Sequence, residues 1–119
     1  MAKDDYDVIL FKILLYLYAC FQGKIVFQND VFEKTVKNGI SDEYINRILR
    51  GAQSENLIEG LVFTHTWGNE YILSSPLSDM AITPDGIRYL KDNGKMQKAK
   101  SFLLEHSVEL ISTLIPKIF

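Results

Sequence analysis

A chain of 119 residues with 47% hydrophobic residues and a formal charge of −2 is long enough for one domain with a packed core, and its composition excludes the disordered class. The slight acidity argues against the strong, indiscriminate attraction to nucleic acid that a basic chain shows. A single cysteine, Cys20, cannot build an internal disulfide, and Asp4, Asp5 and Asp7 stand where a secretory signal would be positive, so a cytoplasmic location is expected.

Residues 5–22 are predicted to form a helix, with Asp5 and Asp7 suited to its first turn and Gly23 to its C-terminal cap. Its apolar residues, among them Val8, Phe11, Leu14, Leu17 and Phe21, cover most of the circumference. Only a narrow line through Asp5, Lys12, Tyr16 and Ala19 is left for water. A helix apolar nearly all round must be covered on more than one side, by another part of the chain or by a second subunit. The run from Val8 to Phe21 is too short to span a bilayer and Lys12 interrupts it, so a core helix is expected and no membrane.

Residues 24–27 are a short β-prone segment. Residues 30–38 form a short helix with Asn29 as N-cap and Gly39 as its stop. Ser41 then caps a third helix that runs to about Glu55, with Asp42 and Glu43 at its positive end. Its inward face is Tyr44, Ile45, Ile48, Leu49 and Ala52; its outward face is Glu43, Asn46, Arg47, Arg50 and Ser54. Residues 57–67 and 70–74 read as strands joined by Gly68-Asn69, a two-residue hairpin signal. Gly60 marks a bulge or a close backbone approach, and residues 80–82 suit a third short strand. Thr83, Pro84 and Asp85 then open a helix as cap, first residue and dipole partner. Asn93-Gly94 ends it, and a last helix spans residues 96–115 until Pro116.

Helix, helix, helix, hairpin, helix is the outline of a winged helix-turn-helix, a mainly α protein with a small antiparallel sheet (α+β). Residues 1–119 are read as one such domain, with the helix-turn-helix at about 29–55, the hairpin wing at about 57–74 and the C-terminal helices at about 83–115.

Ile82, Thr83, Gly86, Tyr89 and Leu90 make a Leu/Ile-Thr-x-x-Gly-x-x-Tyr-Leu pattern, which resembles that of the YjcQ-like family, small proteins of bacteria and their phages. In that family the pattern follows the wing and leads into a long C-terminal helix, and the end Leu114-Ile115-Pro116 is similar too. The resemblance implies a winged-helix fold and brings no activity, cofactor or catalytic residue with it.

Three surfaces are candidates for function. In a helix-turn-helix the second helix of the motif enters the major groove. Arg47 and Arg50 share a face of that helix and suit phosphate or guanine, Asn46 suits adenine, and Lys34 and Lys37 on the preceding helix suit the DNA backbone. Against this, acids outnumber bases by four to two from Ser41 to Gly60. The bland alternative is a solvated face with pairs such as Glu43–Arg47. The wing tip, Thr64 to Glu70, carries no fixed positive charge. Trp67 is expected to pack across the strands on Tyr71, the other reading being an anchor for a protein partner. From Gly86 to Phe119 six Lys or Arg stand against three acids; Arg88, Lys91, Lys95, Lys98 and Lys100 are expected to be a solvated helix end rather than a phosphate patch.

Catalysis is not expected. His65 and His106 have no Cys or carboxylate spacing for a metal, Cys20 lies in an apolar run, and the glycines are scattered rather than gathered in a phosphate loop. No cofactor is implied. Two readings remain open: a winged-helix DNA-binding protein, such as a transcriptional regulator of a phage or mobile element, and a winged-helix protein-interaction module. A homodimer through the first and last helices is expected to accompany either.

Overall fold

Helix α1 (Tyr6–Phe21) is the axis around which the rest of the chain is arranged. The computed structural model describes residues 2, 5–68 and 70–106. Every α1 residue from Val8 to Ala19 is buried. The line expected to face water is buried as well beyond Asp5, with Lys12 at 5% exposure, Tyr16 at 1% and Ala19 at 0%. That expectation is corrected because the chain covers α1 on all sides.

The cover comes from α3 (Asp42–Ser54), β4 (Ala81–Ile82), α4 (Pro84–Asp92), α5 (Gly94–His106) and the turn Glu33–Lys37. No second subunit is required to hide α1. Met96, Ala99 and Leu103, spaced by three and four residues, give α5 a buried face. Each large aliphatic side chain removed from water in this core contributes about 1.5–3 kcal/mol.

Residues 24–27 do not form a strand. The Tyr16 hydroxyl accepts a 3.1 Å hydrogen bond from the Gln28 N–H and fixes this crossing segment to α1. Phe27 turns inward, its ring centroid 5.4 Å from those of both Tyr16 and Phe32. Helix α2 starts at Asn29 itself, with Gln28 in the capping position, as α-helix over Asn29–Phe32. It continues as a π-helical turn over Glu33–Lys37, and Asn38, in the left-handed conformation, ends it ahead of Gly39. Ser41 caps α3 as expected, its hydroxyl accepting from the Tyr44 N–H at 3.2 Å.

The strand expected over residues 57–67 is divided between two sheets. β1 (Ile58–Glu59) pairs antiparallel with β4, Ile58 opposite Ile82. β2 (Phe63–His65) pairs antiparallel with β3 (Tyr71–Leu73), Phe63 opposite Leu73 and His65 opposite Tyr71. Gly60 is the cause of the break. Its φ of +96° and the passage of the Asp79 carbonyl directly over it leave no room for a side chain. Just beyond, the Gln53 amide grips Leu61 at both ends, donating to its carbonyl and accepting from its N–H, each at 2.9 Å. The root of the β2–β3 hairpin is thereby tied to α3. The protein is mainly α with small antiparallel sheets.

Thr83 caps α4, its Oγ1 accepting from the Gly86 N–H at 2.9 Å and donating to the Asn56 carbonyl at 2.6 Å. Asn93 both closes α4 and opens α5, because its Oδ1 accepts from the Lys95 and Met96 N–H groups at 2.9 and 3.3 Å. The last helix therefore starts at Gly94, two residues before the expected position. Its expected continuation to Ile115, with Leu110, Ile111, Leu114 and Ile115, lies outside the described residues.

Candidate nucleic-acid interface

The α3 sequence divides as its periodicity requires. Ile45, Ile48, Leu49 and Ala52 are buried, while Glu43, Arg47, Arg50 and Ser54 are exposed. Asn46 is half-buried on the same outward side. The structure brings Asn46, Arg47 and Arg50 together with Glu43, Glu70 and Tyr71 around one small cleft of about 30 Å³. A second, open groove of about 300 Å³ runs along Arg47, Arg50, Gly51 and Ser54. The solvent side of α3 and one strand of the hairpin thus form a continuous surface.

The two arginines on it are held differently. Arg47 reaches Glu43 at 2.6 Å within α3 and Glu70 at 3.0 Å across to the hairpin. All three side chains are more than half exposed, so these pairs are weak and screened by salt. Arg50 lies over Tyr71, its guanidinium carbon 3.5 Å from the ring centroid. Stacking of this kind orients the planar group and leaves its edge N–H donors available.

On α2, Lys37 pairs with Glu33 at 3.1 Å and with Asp42 at the start of α3. The hydrogen bond that its ammonium donates to the Asp42 carboxylate raises its pKa above the ordinary lysine value, with Glu33 adding to the effect. Lys37 therefore ties the two helices together more than it offers charge to a ligand. Lys34 is exposed.

The hairpin tip departs from the sequence expectation at Trp67. Its side chain is 96% exposed and does not pack on Tyr71. The partners of the Tyr71 ring are His65, with centroids 4.8 Å apart, and Arg50 on the other element. His65 Nε2 is also 2.6 Å from the Gly68 carbonyl, and the Thr66 N–H donates to the Glu70 carbonyl at 2.9 Å. The turn closes on these bonds, which leaves the tryptophan no ring to cover. Val62 and Ile72, at 57% and 55% exposure, add apolar surface to the hairpin.

Two of the remaining basic candidates, Arg88 and Lys91, are engaged locally. Arg88 pairs with Asp85, holding that carboxyl below the usual carboxylate range, with Asn56 assisting. The Lys91 ammonium lies 5.2 Å from the centre of the Tyr18 ring. Lys95 and Lys98 are exposed. His106 stacks on Phe102 with centroids 4.6 Å apart, and burial pushes the Cys20 thiol pKa up, away from nucleophilic use.

Glu70 and Tyr71 are the residues of this candidate surface that the sequence did not disclose. Their partners lie more than twenty positions away, and only the placement of the hairpin beside α3 aligns them. The one available signal was the neighbouring acid and aromatic on a strand following a helix with two arginines.

Among the described residues no helix is long and apolar enough to cross a membrane. No curated protein and no solved structure matches the chain. Residues 11–105 match the model of the YjcQ protein family. That span runs from the core of α1 through α2, α3, the hairpin and the Thr83–Leu90 motif into α5, and the chain belongs to this family.

Proposed function

We propose that this protein is a winged-helix DNA-binding protein that places α3 in the major groove of a duplex, as a bacterial or phage transcriptional regulator does. The observation that carries this reading is the grouping of Asn46, Arg47 and Arg50 on the solvent side of α3 beside the hairpin. Arg50, oriented by Tyr71, is the residue for a guanine edge, and Asn46 is the residue for adenine. Lys34 on α2 contacts the DNA backbone, and Lys37, paired with Glu33 and Asp42, holds α2 against α3. With Glu43 and Glu70 both paired to Arg47, non-specific affinity is low and base contacts carry a large share of recognition.

The test is fluorescence anisotropy with a labelled duplex across a salt series. Binding that weakens steeply with salt is expected, and Arg50→Ala lowers the slope by about one phosphate contact or relaxes selectivity at one base pair. Absence of binding at low salt overturns the reading.

One observation favours a second reading, a protein-interaction module. Trp67 stands almost fully in solvent on a tip without fixed positive charge, the position of an interface anchor. A photo-crosslinker at position 67 in the producing cell distinguishes the two. Crosslinks to nucleic acid support the first reading, and a single crosslinked protein supports the second.

A further inference from the structure

Glu70 and Tyr71 are consecutive residues of the hairpin, and each takes one of the two α3 arginines. Their chemical effects are opposite. The Tyr71 ring orients Arg50 without neutralising it. The Glu70 carboxylate sets one oxygen 3.0 Å from the Arg47 guanidinium, an anionic acceptor of the kind that a phosphate presents. Glu43, 2.6 Å from the same nitrogen, is the α3 half of the same arrangement.

We propose that Glu70 is a built-in stand-in for a DNA phosphate. It masks Arg47 in the free protein and is displaced when the duplex backbone enters the cleft between α3 and the hairpin. This inference rests on the DNA-binding reading and adds a selectivity determinant to it. All three side chains are more than half exposed, so the mask is exchangeable: an exposed ion pair is weak enough for a phosphate to replace. The mask falls on the non-specific component of affinity, because phosphate contacts supply that component. Arg50, held by an uncharged ring, keeps its full charge for base recognition. The hairpin thus lowers attraction to arbitrary DNA while leaving the base-reading group in place.

The experiment is a double-mutant cycle on duplex binding with Glu70→Gln and Arg47→Ala, singly and together. Glu105→Gln, an exposed position on α5, serves as a control for net charge. Glu70→Gln is expected to tighten binding to a generic duplex by about threefold to fivefold at low salt, the scale of one exposed ion pair. The gain disappears in the Arg47→Ala background, and Glu105→Gln does not reproduce it. Binding by Glu70→Gln where the unaltered protein binds nothing also supports the proposal. An equal gain with and without Arg47 overturns it, since long-range charge then explains the effect. Binding by the unaltered protein that Glu70→Gln leaves unchanged overturns the mask alone and leaves DNA recognition standing. Failure of every variant to bind at low salt overturns both.

Discussion

Gly86 passes so close beneath the carbonyl of Leu57 that a Cβ on it would overlap the oxygen and stand 3.0 Å from the carbonyl carbon. The Ile82 side chain closes the other side at 2.8 Å. The motif that carried the family resemblance is therefore a structural joint. Thr83 caps the helix, Gly86 admits the strand, and Leu90 is fully buried. Gly86→Ala is expected to destabilise the protein by about 1–3 kcal/mol or more, because backbone rather than a flexible side chain must yield. Urea unfolding measures it; an unchanged midpoint would show that the joint has slack.

Thr83 serves two partners with one hydroxyl, the Gly86 N–H and the Asn56 carbonyl. Thr83→Ala is expected to cost about 1–2 kcal/mol, since a cap is lost and a part-buried carbonyl is left without its donor. Thr83→Ser keeps both bonds and recovers most of the loss. Equal destabilisation by the two variants would place the cause in the methyl group instead.

Burial raises the pKa of Tyr6, Tyr16 and Tyr89 above the ordinary tyrosine value, and nearby carboxylates reinforce the shift for Tyr6 and Tyr89. Near and above pH 10 the folded protein therefore holds more protons than the unfolded chain. Stability from these groups is full below that value and is lost as pH rises through the folded-state pKa values. Denaturant midpoints are expected to fall between pH 9 and pH 11, as set by that ordinary value, with a shallower fall for Tyr16→Phe. A flat profile across that interval would contradict the burial assigned to these hydroxyls.

Trp67 is the sole tryptophan of the chain and is 96% exposed. Its emission should be fully accessible to an aqueous quencher in the free protein and become protected when a ligand occupies the hairpin tip. Trp67→Ala should change stability by no more than about 0.5 kcal/mol, the range of surface substitutions. A larger loss, or a shielded indole in the free protein, would restore the cross-strand packing that the sequence suggested.

The helices were legible because their signals are local. Ser41 and Thr83 bond as caps where their side-chain chemistry requires, and the inward face of α3 follows its spacing. Gly60 was legible as a bulge or a close backbone approach, but the division of the strand there was not, because the partner that forces it, Asp79, lies in a later turn. Asn93 was read as an end; as an acceptor for the next turn it is equally a beginning. The outer line of α1 was misread because polar and small residues, Lys12, Tyr16 and Ala19, are not by themselves a solvent face. Of the candidate surface, the arginine pair on α3 was visible from spacing. The hairpin residues that hold it were not, because the contact between elements is set by tertiary placement.

The arrangement around α1 has a consequence for how the protein is made. α1, the most apolar of the described helices, leaves the ribosome before the elements that cover it, and α5, which lies along it, is synthesised more than seventy residues later. Through most of synthesis the nascent chain carries an uncovered greasy segment, and the contacts that bury it join distant parts of the sequence. Such contacts form slowly, and partly completed chains of this kind are prone to aggregate. A chain stopped short of α5 is expected to sediment rather than remain in solution.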